Sequence, residues 1–302
     1  MGGLKRKTMP EEDRFNSVEA RITALEVAVG RLSSQIMGSP IAVVYPEPLA
    51  TPLALEKGAS LHTGRFFSLI DAGEAFLKYS GVIAISLVVM AGNAYDIAKE
   101  FKQPPSLGRL VQILHEIFHS SKLPDNTIAR ALKSSLIKPN GKMTPAGRFF
   151  LEEFTNVRNL MRGHSASLPN GAYEAPYLRH SDELHDALEE CPHLHFPLIL
   201  IESANPVTEQ IDYDIRFLVG PLPCTQVERI HTESRLRLNG LYVWDRGENF
   251  LDLNNLLICR NCPECKLNHT FFLEKMTSKT LYYHSYFGNH RCTVSKSPKE
   301  VK

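Results

Sequence analysis

The apolar positions at the start of the chain follow a heptad pattern. They alternate by steps of three and four at Phe15, Val18, Ile22, Leu25, Val29, Leu32 and Ile36. This spacing predicts a coiled-coil helix within residues 1–38, through which two copies of the chain associate. Because about three heptads are near the lower limit for a two-stranded coil, the alternative is a single amphipathic helix packed on the body of the protein.

Prolines interrupt the pattern after this segment. Pro40, Pro46, Pro48 and Pro52 follow Gly38 within a short stretch. Proline removes a backbone donor and fixes φ, so a cluster of prolines disfavours a regular helix. The sequence therefore predicts an extended, proline-rich linker over residues 39–60.

Residues 61–190 show the apolar spacing of a helical bundle. The first helical pattern begins at Leu61 and continues until Pro104 and Pro105. The residues expected to open later helices are Ser106, Asn126, Thr144 before Pro145, and Ser181. We expect four to five helices in this segment.

From residue 191 onward, short runs rich in β-branched and aromatic residues replace the helical spacing. The runs are His195–Glu202, Tyr213–Val219, Leu241–Asp245, Phe250–Ile258, Thr270–Leu273 and Leu281–Tyr286. Turn residues separate them, which is typical of an antiparallel sheet. The chain is thus predicted to be α+β, with a helical bundle followed by a β-rich domain over residues 191–302.

The composition is that of a folded protein with nearly balanced charge. Hydrophobic residues make up 43% and charged residues 22% of the chain, and 34 basic residues against 33 acidic ones leave a net charge of +1. Any contact with nucleic acid must therefore come from a local patch.

The longest apolar run, Gly81–Gly92, is shorter than the roughly 20 residues that span a bilayer and predicts a buried core helix. With no membrane span and no apolar segment typical of a signal peptide, we expect a cytoplasmic protein.

A cysteine cluster near the C-terminus predicts a metal site. Two thiolates separated by two residues, as in Cys262 and Cys265, can bind one tetrahedral ion. His290 and Cys292 are the expected second pair of ligands, with Cys259 as a competing third ligand. Such a closed site would hold a structural zinc without a position for catalytic water. The alternative is a metal-free turn with buried thiols.

Other histidines are assigned structural positions. His269 and His284 are expected at the surface. His193 and His195 follow Cys191 and Pro192 and are expected at the entrance of a strand, without metal partners.

The chain also lacks a Walker-type phosphate loop, a G-x-S-x-G elbow and a His-Glu-x-x-His helix, which argues against nucleotide hydrolysis and against the enzyme classes those motifs mark.

A polar, basic cluster follows the aromatic face of the fourth predicted helix. Arg158 and Asn159 are followed by Arg162, Gly163 and His164. An Arg, a polar residue that is often Asn, four to six further residues and a His resemble the motif of the HEPN superfamily.

Two further segments strengthen this resemblance, Glu74–Tyr79 in an early helix and Pro105–Gly108 at the start of the next. Both are similar to HEPN modules of bacterial defence-associated proteins, which commonly carry a C-terminal β region with a Cys-Pro-x-Cys segment.

The resemblance implies a metal-independent endoribonuclease. Cleavage of RNA without a metal needs a base for the 2′-hydroxyl, an acid for the leaving oxygen and cations for the phosphorane. His164 would be the general acid or base, Arg158 and Arg162 would bind the phosphate, and Asn159 would orient them. The resemblance also implies a homodimer with RNA as substrate, a role in anti-phage defence or stress response, and a partner protein encoded nearby.

A structural role for the same residues is the alternative. Six residues at 100° each separate Arg158 and His164 around a straight helix, so they converge only where the helix ends or bends, as Gly163 permits. Arg158 would then pair within the bundle, Asn159 would bond a loop and His164 would be solvated. The protein would be a non-catalytic scaffold that dimerises through its helices and binds RNA or protein.

Overall fold

The computed structural model of the chain describes residues 45–120, 123–164, 169–207, 210–221, 227–253 and 255–296. The predicted coiled-coil helix lies outside these residues, and its role in self-association stays a prediction.

The segment predicted to be an extended linker contains a buried helix, α1 (Glu47–Gly58). That prediction was wrong for residues 47–58. Pro48 lies in the first turn, where the helix needs no backbone donor, and Pro52 is accommodated inside the helix. Leu49 and Leu53 are almost completely buried. Burial of these side chains against the bundle outweighs the low helix propensity of proline.

Seven further helices lie in the described residues between 61 and 190, where four to five were expected, and the first of them ends at Met90, well before Pro104. They are α2 (His62–Met90), α3 (Ile97–Glu100), α4 (Leu107–His119), α5 (Thr127–Leu136), α6 (Pro145–Arg148), α7 (Phe154–His164) and α8 (Glu174–Glu189). A π-helical turn, Phe149–Glu153, joins α6 to α7, and two 3₁₀ turns lie at Asn170–Tyr173 and Pro192–His195.

Three of the four predicted helix starts are confirmed, whereas the helix expected to open at Ser181 begins earlier, at Glu174. The side chains of Ser106, Asn126 and Thr144 each accept a hydrogen bond from the amide three residues later, at the starts of α4, α5 and α6. Each cap satisfies one of the backbone donors that a helix start leaves without a partner.

Helix α2 is the central element of the bundle. Among the described residues it is the one helix long and apolar enough to cross a membrane, but 83% of its most apolar window is buried inside the protein. It ends before Gly92, whose φ of 73° is favourable only for glycine. The prediction of a buried core helix over the Gly81 segment is therefore confirmed.

The β region forms two antiparallel sheets. The first has the strand order β3-β2-β1-β4-β5 and the second β6-β7-β8-β9. The strands are β1 (Leu198–Val207), β2 (Gln210–Phe217), β3 (Val227–Thr232), β4 (Leu241–Trp244), β5 (Phe250–Asp252), β6 (Leu257–Asn261), β7 (Asn268–Met276), β8 (Thr280–His284) and β9 (Arg291–Ser295). The α+β class is confirmed, while the HEPN identity of the bundle stays a prediction.

One continuous hydrophobic core joins the helices to the second sheet. It includes Phe76 and Phe150 of the helical part and Leu257, Phe271 and Phe272 of the sheet. A smaller cluster, with Ile199 and Tyr213, covers the other side of the first sheet. The helical bundle and the sheet β6–β9 therefore share one packed interior.

His193 lies in this interior, in the 3₁₀ turn Pro192–His195, instead of at a strand entrance as predicted. Its ring nitrogens lie 3.0 Å from the hydroxyl of Ser80 and 2.7 Å from that of Ser135. Complete burial, together with the nearby His195, lowers the pKa of His193 to about 3. The imidazole is therefore neutral in the folded protein at neutral pH.

This burial predicts an acid-sensitive fold. Because His193 binds a proton near its ordinary pKa only when the chain unfolds, its stabilising contribution is present above about pH 6.5 and is lost as the pH falls towards about 3. Between pH 7 and pH 5 the loss is about 2 kcal/mol in the free energy of unfolding.

Urea unfolding of wild type and His193→Gln at the two pH values measures this loss. The variant should show a pH dependence smaller by about 2 kcal/mol. His195→Gln, at an exposed neighbour, should keep the wild-type dependence. An unchanged dependence in His193→Gln would contradict the assignment.

Candidate functional site

A cavity of about 610 Å³ opens where the helical bundle meets the sheet β6–β9. Its helical wall comes from α2, from α7 and from the start of α4, and its other wall comes from β7 and from the segment joining β8 to β9. We call it the junction cavity. Its volume lies within the roughly 300–1,000 Å³ of small-molecule and substrate sites.

Arg158 of α7 and Glu74 of α2 form the central ion pair of the cavity. The Nε of Arg158 donates to Oε1 of Glu74 at 2.8 Å, and its Nη1 donates to Oδ1 of Asn159 at 3.2 Å. The hydroxyl of Tyr286 donates to the other Glu74 oxygen at 3.3 Å. The carboxylate is 8% exposed and the Arg158 side chain 31% exposed. Two of the predicted site residues, Arg158 and Asn159, thus line one cavity with Glu74.

His164 is the last residue of α7. Arg158 and His164 belong to the same continuous helix, which sets their backbones about 9 Å apart along the axis and about 120° apart around it. The side chains of residues 160–164 lie outside the described part of the structure. The roles assigned to Arg162 and His164 therefore stay predictions.

Further charged and polar groups line the cavity that the Arg-Asn-His motif did not indicate. Lys78 of α2 lies 3.6 Å from the carboxylate of Glu274 in β7. His284 Nε2 lies 2.6 Å from Oδ1 of Asn289. Burial lowers the pKa of both Lys78 and His284, opposed by the Glu274 charge. His284 is 8% exposed, so its predicted surface position was wrong.

A Cys/His cluster lies behind this wall. One ligand atom from each of Cys262, Cys265, His269 and His290 lies within 4.8 Å of the other three. Cys262 Sγ is 3.4 Å from His290 Nδ1, and Cys265 Sγ is 3.4 Å from His269 Nε2. Zn–S and Zn–N bond lengths at a tetrahedral ion imply an S···N separation of roughly 3.6 Å. The cluster could therefore hold a metal ion.

Neighbouring groups contact three of the four side chains. His269 Nδ1 lies 2.9 Å from the hydroxyl of Ser285, and His290 Nε2 lies 3.9 Å from the carboxylate of Glu264. The amide of Glu264 donates to Cys262 Sγ at 3.4 Å. Partners on the far ring nitrogen are a usual feature of metal-bound histidines because they fix the tautomer. Burial lowers the pKa of His269 to about 4, which keeps the imidazole in its neutral, metal-binding form at pH 7.

The predicted ligand Cys292 is absent from this cluster, and His269 takes its place. Cys292 lies within β9 opposite Tyr283, in the hydrophobic core, where burial raises the pKa of its thiol to about 11. Cys259, the competing ligand, lies within β6, and burial raises its thiol pKa to about 12. His269, predicted at the surface, is 2% exposed. Its place four residues after Cys265, at the start of β7, is the sequence signal that was missed.

Close packing of α2 on α7 brings the two halves of the ion pair together. A Cβ atom added to Gly73 would overlap the ring of Phe154. Gly73 directly precedes Glu74, and Phe154 lies about one helical turn before Arg158. The glycine therefore sets the separation of the two helices at the cavity.

Comparison with known proteins gives no family assignment, since no family model, no curated protein and no solved structure matches this chain. The resemblance to HEPN modules rests on the residues that carry it. Function must therefore be inferred from the chemistry of the junction cavity and the Cys/His cluster.

Replacing Gly73 by alanine should destabilise the fold and open the cavity wall. Because Phe154 is fully enclosed, the ring cannot move away freely, and we expect a loss of about 1–3 kcal/mol in the free energy of unfolding. Gly171→Ala is the matched control, since nothing lies within 4 Å of a Cβ there. Urea unfolding midpoints measure both variants. Equal midpoints would show that α2 and α7 are not in close contact at Gly73.

Proposed function

We propose that this protein is a metal-independent endoribonuclease of the HEPN type that acts as a homodimer in the cytoplasm. The observation that carries the proposal is the convergence of three separate segments on the junction cavity. They are Glu74 with Lys78, the Pro105–Gly108 segment, and Arg158 with Asn159. These are the segments in which the sequence resembles HEPN modules.

The proposed chemistry needs a phosphate-binding cation with a defined orientation. Glu74 holds the guanidinium of Arg158 through Nε, and Asn159 contacts Nη1. A planar guanidinium fixed in this way suits a phosphodiester, whose equatorial oxygens become more negative in the transition state. Arg158 would bind the scissile phosphate, and Arg162 would add a second positive charge.

His164 would transfer the protons of the reaction. It would accept the proton of the 2′-hydroxyl as that oxygen attacks phosphorus, or donate a proton to the departing 5′-oxygen. The bond from phosphorus to the 5′-oxygen breaks as the bond to the 2′-oxygen forms. The products are a 2′,3′-cyclic phosphate and a 5′-hydroxyl.

A second copy of the chain would supply the complementary histidine, with residues 1–38 as the proposed dimerisation helix. Defence against phage or response to stress, with a partner protein encoded nearby to restrain the activity, is the proposed setting.

An RNA-cleavage assay tests this proposal. Zinc-loaded wild type is incubated with labelled total RNA in EDTA, zinc content is measured afterwards, and the new RNA ends are analysed. We expect 2′,3′-cyclic phosphates, and a rate lower by about 10²–10⁴-fold in His164→Ala and in Arg158→Ala. His119→Ala and Arg130→Ala are matched controls at exposed positions of α4 and α5 and should cleave like wild type. Cleavage that survives in His164→Ala would exclude the proposed mechanism.

A non-catalytic scaffold is the second candidate function, and one observation favours it. Arg158 is already paired with a buried carboxylate, which is the structural role available to this residue. On this hypothesis the helices assemble a dimer, and the β region binds RNA or a protein. A dimeric, zinc-loaded wild type that binds RNA without cleaving it would favour the scaffold over the enzyme.

We further propose that the Cys/His cluster binds one structural zinc ion. Two thiolates and two imidazoles are a common ligand set for structural zinc, and the short Cys–His separations suit its tetrahedral geometry. Four protein ligands leave no open position for water, so the ion would stabilise the sheet β6–β9 and would take no part in catalysis.

Metal analysis of purified variants tests the ligand set. Wild type should contain about one zinc ion per chain by plasma mass spectrometry, and its cobalt form should show tetrahedral absorption bands. His269→Ala and Cys265→Ser should lose most of the metal. Cys292→Ser should retain it, because Cys292 lies in the hydrophobic core. Loss of zinc in Cys292→Ser together with full zinc in His269→Ala would contradict the assignment.

A further inference from the structure

The segment between β8 and β9 contacts both the Cys/His cluster and the junction cavity. Ser285 bonds to the ring of His269, and His290 is a member of the cluster. Tyr286 and Asn289, which lie between them in sequence, line the cavity. A metal ion bound at the cluster would therefore fix the backbone that carries one wall of the cavity.

The turn itself has a constrained backbone. Gly288 has a φ of 64° and Asn289 a φ of 57°. A Cβ at Gly288 would lie 2.7 Å from the ring of His290, so the tight approach requires glycine. Immediately after the turn, the amide of Arg291 donates to the carboxylate of Glu264 at 3.0 Å. This hydrogen bond ties the start of β9 to the turn that carries Cys262 and Cys265.

Of the three lysine and arginine side chains that line the cavity, two are paired. Lys78 lies beside Glu274 and Arg158 beside Glu74. In the part of the chain that the structure describes, no carboxylate pairs with the guanidinium of Arg291, which is exposed at the cavity wall. Arg291 is therefore the one of these three side chains that makes no ion pair among the described residues.

The opposite wall offers complementary donors. The first residues of α4, Leu107 and Gly108, line the cavity, and the first amides of a helix have no partner within it. A helix N-terminus carries partial positive charge and favours anions. The hydroxyl of Thr155 is buried on the same cavity and has no hydrogen-bond partner among the described residues. These donors and Arg291 line the same cavity, together with the carboxylates of Asp71, Glu74 and Glu274.

We infer that Arg291, the first turn of α4 and Thr155 form a second phosphate subsite in the junction cavity, and that the metal-bound turn between β8 and β9 holds this subsite in place. The inference rests on the proposed action on RNA, whose backbone presents a further phosphate beside the scissile one. Arg158 contacts the phosphate that reacts, whereas Arg291 contacts its neighbour. Arg291 therefore contributes to binding and leaves the chemical step unchanged.

RNA binding by the zinc-loaded protein tests the role of Arg291. The probe is a fluorescein-labelled single-stranded 2′-O-methyl RNA of mixed sequence, which cannot be cleaved because the attacking hydroxyl is blocked. Arg291→Ala should raise Kd about tenfold or more and reduce the slope of log Kd against log salt by about 0.7. Arg291→Lys should restore part of the affinity. Lys279→Ala, an exposed cation in the turn between β7 and β8, is the control and should bind like wild type. Wild-type affinity in Arg291→Ala overturns the subsite.

Removal of the metal tests the coupling. Hydrogen exchange is followed in residues 284–291 of the zinc-loaded and zinc-free full chain, with RNA affinity measured on the same samples. We expect faster exchange in this segment on zinc removal and an affinity as low as that of Arg291→Ala. Unchanged exchange and affinity in the zinc-free protein overturn the coupling, whatever the effect of the single substitution.

Failure of this inference differs from failure of the proposed function. Cleavage and binding by wild type, with Arg291→Ala and zinc-free protein both like wild type, overturn the inference alone. Binding without cleavage overturns the nuclease, while the effect of Arg291→Ala still decides the subsite. A wild type that neither cleaves nor binds RNA overturns both.

Discussion

The carboxylate of Glu74 is the group on which the arrangement of the site depends. It is almost completely buried in the long central helix and accepts from Arg158 on one side and from Tyr286 on the other. A buried carboxylate without partners would cost several kcal/mol, so the fold must bring both donors to it. In doing so it connects the helical bundle to the sheet β6–β9 and forms the centre of the junction cavity.

Close packing makes this interaction possible. The missing side chain at Gly73 allows Phe154 to pack directly against α2, and the π-helical turn before α7 places that aromatic face on the core. The cavity wall contributed by α7 is thus rigid, because its position is set by ring packing in the interior. Rigid placement would suit the phosphate-binding role proposed for Arg158, since such a contact depends on orientation.

A metal ion bound at the Cys/His cluster would give the other wall a comparable rigidity by different means. Sheet β6–β9 is small, and its turns carry several residues with positive φ, such as Lys266 and Asn289. A metal ion would join the turn after β6 to the turn before β9 and offset the conformational entropy of both. In the segment between β8 and β9, the cluster member His290 lies next to Asn289 and Arg291, which line the cavity.

Local signals in the sequence determined much of the fold. Capping side chains at Ser106, Asn126 and Thr144 predicted the starts of three helices, because a cap depends only on residues a few positions away. The Cys-x2-Cys segment contributes two members of the Cys/His cluster, and Arg158 and Asn159 line the junction cavity. Burial in the tertiary structure decided the rest. Burial of Leu49 and Leu53 stabilises a helix in a proline-rich segment. His269 at the start of β7 lies beside the two cysteines, where Cys292 had been expected.

Only the three-dimensional arrangement places Glu74, Arg158 and Arg291 in one cavity. They come from segments far apart in the chain, and contact between such segments depends on how the core packs.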